Sequence, residues 1–177
     1  MIESIISAVF PVAFVVVLLE AVLAFRWTPF YFRHGLRVFR MTVSVPRVSS
    51  HLPDAQTLST VNRRAFVLPI RVHRLDRTSF AVRERWTTPI QFGYTPVMHE
   101  LLEFDLSHHW VRITGLANWF TPLFLVVAIT LPLSNDRYLL FGGGGLLLLS
   151  SIYLLQRHRY RSLAVAAAGL WTESKVP

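Results

Sequence analysis

The densest run of side chains that could do chemistry is His99-Glu100-Leu101-Leu102-Glu103-Phe104-Asp105-Leu106-Ser107-His108-His109. Two histidines spaced H-E-x-x-H on a helix would hold zinc, with the glutamate as general base. Position 103 is Glu, so that pattern is missed. Apolar and polar residues alternate through the run, which predicts a strand and sends His99 and Glu100 to opposite faces. His99, Glu103 and Asp105 then share a face, with His108 and His109 at the turn. They form a weak candidate metal set, set against the plainer reading of a solvated strand ending in a polar turn.

Other chemistry is excluded by residue type. The chain has no cysteine. That removes disulfides, thiolate zinc sites, cysteine-held iron–sulfur clusters and a cysteine nucleophile. None of the seven histidines lies in an apolar run, so haem ligation within a membrane is not expected. No P-loop, dinucleotide fingerprint or G-x-S-x-G is present. No catalytic residue and no cofactor is assigned.

Two further constellations stand out. Glu20 lies inside an apolar run, where a carboxylate costs a few kcal/mol unless it is paired. Asn118 and Tyr153 fall at similar depth in two other apolar runs, counted from Arg26, Arg112 and Arg157. An intramembrane polar cluster of Glu20, Asn118 and Tyr153 follows. It reads as an interhelical hydrogen-bond cluster rather than a proton or cation site, because the other two runs offer no second ionisable group. The other constellation is a basic patch of Arg71, His73, Arg83 and Arg85. Burying Val72 and Val82 face to face in a hairpin around Asp76-Arg77-Thr78 sets Arg71 opposite Arg83. Like charges directly opposed on a ladder repel, and an anion nearby relieves them.

The elements that must position these residues are apolar helices and a small sheet. The chain has 177 residues, is 53% hydrophobic and has a net charge of +8. Three apolar runs, Ile5 to Phe25, Leu116 to Leu133 and Tyr138 to Leu155, each match the ~20 residues that cross a bilayer. The expected fold class is therefore membrane α+β: three transmembrane helices with a small antiparallel β domain inserted between the first and second. Residues 1–25 form the first span and 26–43 an amphipathic juxtamembrane segment. A β-rich cytoplasmic domain covers 44–114, with 44–62 as loop at its start. The second span is 115–133, an external turn 134–137 and the third span 138–156; 157–177 is a basic tail. Gly142, Gly143, Gly144 and Gly145 permit close helix packing, with Ser4, Ser7 and Ala8 as the expected partners.

Basic residues collect on cytoplasmic flanks. Arg26, Arg33, Arg37 and Arg40 follow the first run, and Arg157, Arg159 and Arg161 follow the third. The amino terminus is then outside and the carboxyl terminus inside, in what is expected to be a bacterial inner membrane. Lys175 is the single lysine among 18 basic residues. The positive-inside rule accounts for much of that charge, so nucleic acid is not an expected partner. Expected partners are membrane lipids with anionic headgroups, together with a protein partner or further copies of the chain. The function that fits best is a non-enzymatic accessory or scaffold protein whose basic domain docks one of these. An interfacial enzyme or metal-binding protein using residues 99–109 is the alternative, and a channel or transporter subunit with Glu20 on its path the second.

Overall fold

A computed structural model describes residues 2–49, 51–60, 70–84, 97–134 and 136–172, with backbone alone for 2–10, 13, 131, 134 and 136. Helix α1 (Ile2–Phe25) is followed by the short α2 (Pro29–Arg33) and strand β1 (Arg37–Ser44). A helical turn, α3 (Ala55–Thr60), precedes β2 (Ile70–Arg74) and β3 (Ser79–Glu84). Then come β4 (Met98–Asp105), β5 (Trp110–Ala117), α4 (Phe120–Ser134) and α5 (Leu139–Trp171). The five strands form one antiparallel sheet in the order β1-β5-β4-β3-β2.

The sheet has two unlike faces, as strict alternation requires. One presents Phe80, Val82, Met98, Leu102, Phe104, Val111 and Ile113 to the second half of α5, which answers with Tyr160, Leu163, Ala164, Ala167, Ala168 and Trp171. Small residues on that helix let its backbone approach the sheet. The opposite face carries Arg71, His73, Arg83, His99, Glu103 and Arg112, and α2 covers part of it with Tyr31 and Phe32.

Several expectations are corrected here. The 157–177 stretch is no tail: through Trp171 it continues α5 and completes the domain's core. The 26–43 amphipathic segment divides into a helical turn and a strand. Gly35 follows the five residues of α2, and Arg37 and Arg40 sit on β1. Within the expected 44–62 loop, α3 is capped by Asp54, whose Oδ1 accepts from Thr57 N–H at 2.6 Å, and it buries Leu58.

Among the described residues one helix, α5, is long and apolar enough to cross a membrane. The described apolar stretches Phe14–Phe25 and Phe120–Thr130 are shorter. Three spans therefore do not follow from helix length. The physical reason is visible in α4: Leu116 and Ala117, apolar residues of the expected second span, are the buried end of β5. That leaves α4 15 residues, about 22 Å at 1.5 Å per residue.

α4 packs against both α1 and α5. Gly142 abuts Pro132 and the Ala128 carbonyl, and Gly145 lies against Phe124, so these two glycines serve the α4–α5 contact. A Cβ at Gly143 or Gly144 would meet nothing within 4 Å beyond its own helix. The side chains of Ser4, Ser7 and Ala8 lie outside the description.

Candidate functional site

Where α1 ends, α4 begins and the sheet's near edge meets both, polar groups converge around a cavity of about 50 Å³. Its walls include Glu20, Tyr31, Arg83, Glu84, His99 and Asn118. Glu20 is 5% exposed. Its carboxylate accepts from the Tyr31 hydroxyl at 2.6 Å and from the backbone N–H groups of Trp119 and Phe120 at 2.8 and 3.1 Å. The last two are orphan donors at the start of α4, so α1 supplies a cap in trans for a neighbouring helix.

His99 extends the cluster across the sheet face. Its Nδ1 lies 2.9 Å from the Asn118 side-chain amide and its Nε2 3.0 Å from the Tyr31 carbonyl, and its ring stacks on Tyr31 with centroids 4.0 Å apart. Burial pushes the imidazole down to about 4, so the ring is neutral at neutral pH. The neutral ring carries one N–H, which serves either the Tyr31 carbonyl from Nε2 or the Asn118 Oδ1 from Nδ1. The Tyr31 hydroxyl is pushed up, first by burial and then by the Glu20 charge.

The expected trio is thus realised in two members. Tyr153 stands apart, donating to the Val38 carbonyl at 3.0 Å. Tyr31 and His99, from α2 and β4, complete the cluster instead. The further ionisable groups missing from the apolar runs come from the sheet.

Behind the same edge, on the α5 face, lies a second buried polar layer. Gln156 accepts at Oε1 from the N–H groups of Val97 and Met98 at 2.9 and 3.2 Å, and its Nε2 donates to Glu84 at 3.3 Å. Arg159 is ion-paired to Glu84. Glu100 is fully buried beside them, and neither of its oxygens has a hydrogen-bond partner. Burial, then the neighbouring Glu84, pushes the Glu100 carboxyl well up. Sequence reading missed Glu84, Gln156 and Arg159. For Glu84 the available signal was its place in the alternation Phe80, Val82, Glu84; Gln156 and Arg159 stand in a polar run that carried none.

The basic patch forms in the expected register: Val72 faces Val82 and Arg71 faces Arg83. Arg83 lies over the rings of Trp27 at 4.5 Å and Phe25 at 4.9 Å, and His73 stacks on Trp27. Burial and then Arg71 lower the Arg83 guanidinium. Arg85 lies outside the described residues. Further along the same face, Arg33, Arg37, Arg40 and Arg112 line an open groove of about 340 Å³ with Asp76 and Glu103.

Of the weak metal set only Asp105 and His108 meet, with His108 Nδ1 3.0 Å from the Asp105 carboxylate; the others are held apart by structural duties. His99 is held as above. Glu103 sits opposite Arg112 in the ladder. Asp105 accepts from Ser107 N–H at 2.9 Å and from the His108 backbone N–H at 3.0 Å, fastening the β4–β5 turn. His109 takes the positive φ of that turn. Among the described residues no three His, Asp or Glu side chains could hold a metal together.

No protein-family model, curated protein or solved structure matches the chain.

Proposed function

We propose that this is a non-catalytic integral membrane protein whose basic sheet face holds the phosphate headgroup of anionic lipids in the adjoining leaflet. In this reading α1, α4 and the first half of α5 share the bilayer, with the amino terminus outside and the sheet in the cytoplasm. The apolar side chains these helices leave bare support it. Val12, Phe14, Val15, Leu18, Val126, Ile129, Leu140 and Leu147 are all at least half exposed, Leu140 at 90%. Water-soluble monomers rarely leave so continuous an apolar surface uncovered.

The observation that carries the lipid reading is the opposed pair Arg71 and Arg83 beside Trp27. Among the described residues neither guanidinium is in an ion pair. The two strands bring these charges together within two residues of the sheet edge that adjoins the apolar helices. A phosphate shared between them relieves their repulsion, and Trp27 and Phe25 provide an interfacial floor. Each basic residue near an anionic leaflet contributes about 1 kcal/mol of attraction.

Native mass spectrometry of the full chain released from mixed lipid tests this. Phosphatidylglycerol should be retained in preference to phosphatidylcholine, and Arg71→Ser with Arg83→Ser should abolish the preference. Equal retention of both lipids by the unaltered chain would remove the lipid reading.

A further inference from the structure

The Glu100 carboxyl has no role in headgroup binding, yet it sits where exposure and solvation are lowest. It is 0% exposed, its two oxygens lack partners, and it stands on the face of β4 that α5 covers. The register pairs Glu100 with Val82, so Glu84, two residues on, is its diagonal neighbour on the same face, roughly 7 Å away. The α5 groups at this layer are Gln156, Arg159 and Tyr160, one turn apart and all buried. Glu84 takes the ion pair with Arg159 and the amide of Gln156. Among the described residues, then, two carboxyls and one guanidinium are buried together. Two carboxylates at this spacing in a dry layer cannot both ionise without large cost.

Glu84 also lines the cavity that holds Glu20, Arg83 and His99. Glu84 therefore joins the acid pair to that cavity, while Glu100 lies behind Glu84.

We propose that Glu84 and Glu100 form an acid pair that binds one proton, reached through the cavity beside Glu20, and that this proton locks α5 onto the sheet. Glu100 carries the proton and Glu84 stays ionised against Arg159. α5 is the helix that continues from the apolar layer into the domain, so the lock sits at their joint. Releasing the proton places a second carboxylate under the helix and loosens the sheet from it. The groups facing Glu100 act in opposite senses: Glu84 favours the protonated form and Arg159 the ionised one.

The sign follows from linkage. Glu100 ionises in the unfolded chain near 4.5 but resists ionisation when folded. Its contribution is fully present below that value and is lost as pH rises toward the folded value. His99 acts in the opposite sense: burial lowers it, so its contribution grows as pH rises through its unfolded value of 6.5 and is constant well above that.

The test uses the full chain in nanodiscs. Infrared spectra at pH 7 should show one protonated carboxyl C=O band, shifted in D2O, that Glu100→Gln removes and Glu20→Gln leaves. Glu84→Gln should make the band titrate away at lower pH, because Glu100 then becomes the carboxylate beside Arg159. Thermal melting of the unaltered chain should decline between pH 6.5 and 9, and Glu100→Gln should flatten that decline. Absence of a protonated carboxyl at pH 7, or a band that survives Glu100→Gln, would overturn the proposal. So would the same melting profile in both proteins.

Discussion

Glu20 shows how one side chain can look catalytic in a sequence and act as a fastener in the fold. Its carboxylate collects three donors, one from α2 and two from the first turn of α4. That leaves little of its acceptor capacity for a moving proton. Glu20→Gln keeps the acceptor that serves Tyr31 and Trp119 but turns an NH2 group toward Phe120 N–H. It should cost about 1–3 kcal/mol, the range for one unsatisfied buried donor. Glu20→Leu abandons all three donors and should cost at least twice as much. Chemical denaturation of the detergent-solubilised chain measures both; equal losses would mean that the bonds to Glu20 contribute nothing. Sequence spacing placed Glu20 and Asn118 at one depth, and depth was enough to bring them together. It failed for Tyr153 because depth says nothing about which way a helix is turned, and Tyr153 faces β1. Tyr31 and His99 were not legible as members, since what brings them in is the docking of α2 on the sheet.

At the scale of elements, the sheet was readable wherever strict alternation met a turn signal. The β2–β3 hairpin register followed from burying Val72 with Val82, because a slip by one residue would turn an apolar set to the open face. β1 was not readable. Phe32, Leu36 and Phe39 recur at helical spacing, yet Gly35 separates them into a helical turn and a strand. The end of β5 was misassigned for a related reason: a strand buried against a helix and a membrane span are both continuous apolar runs. The glycines of α5 divide by what they touch. Gly142→Leu drives a side chain into Pro132 and the Ala128 carbonyl and should separate α4 from α5. Gly143→Ala meets nothing and should stabilise the helix by up to about 1 kcal/mol through propensity alone. Melting temperatures in one detergent should move in opposite directions; a similar loss in both would show that the glycines act through flexibility rather than contact.

The whole molecule is built around α5. Its 33 residues run about 50 Å at 1.5 Å per residue, enough to cross a bilayer and then serve as the core helix of the domain. The sheet is thus completed by the second half of a helix long enough to cross a membrane, and a segment cut at residue 114 would lack that helix. Placing the sheet inside puts the β4–β5 turn in the cytoplasm and Arg137 outside. In this cysteine-free chain, an impermeant thiol reagent on intact cells should label Arg137→Cys and spare His108→Cys; the reverse pattern would invert the topology. What most directly tests the account as a whole is the identity of whatever covers the basic patch. A photoreactive benzophenone residue at His73, beside Arg71 and Arg83 and stacked on Trp27, can be activated in native membranes and its adducts weighed. Adducts with the mass of an anionic phospholipid are expected, and they should be lost when Arg71 and Arg83 are both serine. A single protein adduct that survives those changes, with no lipid attached, would contradict it.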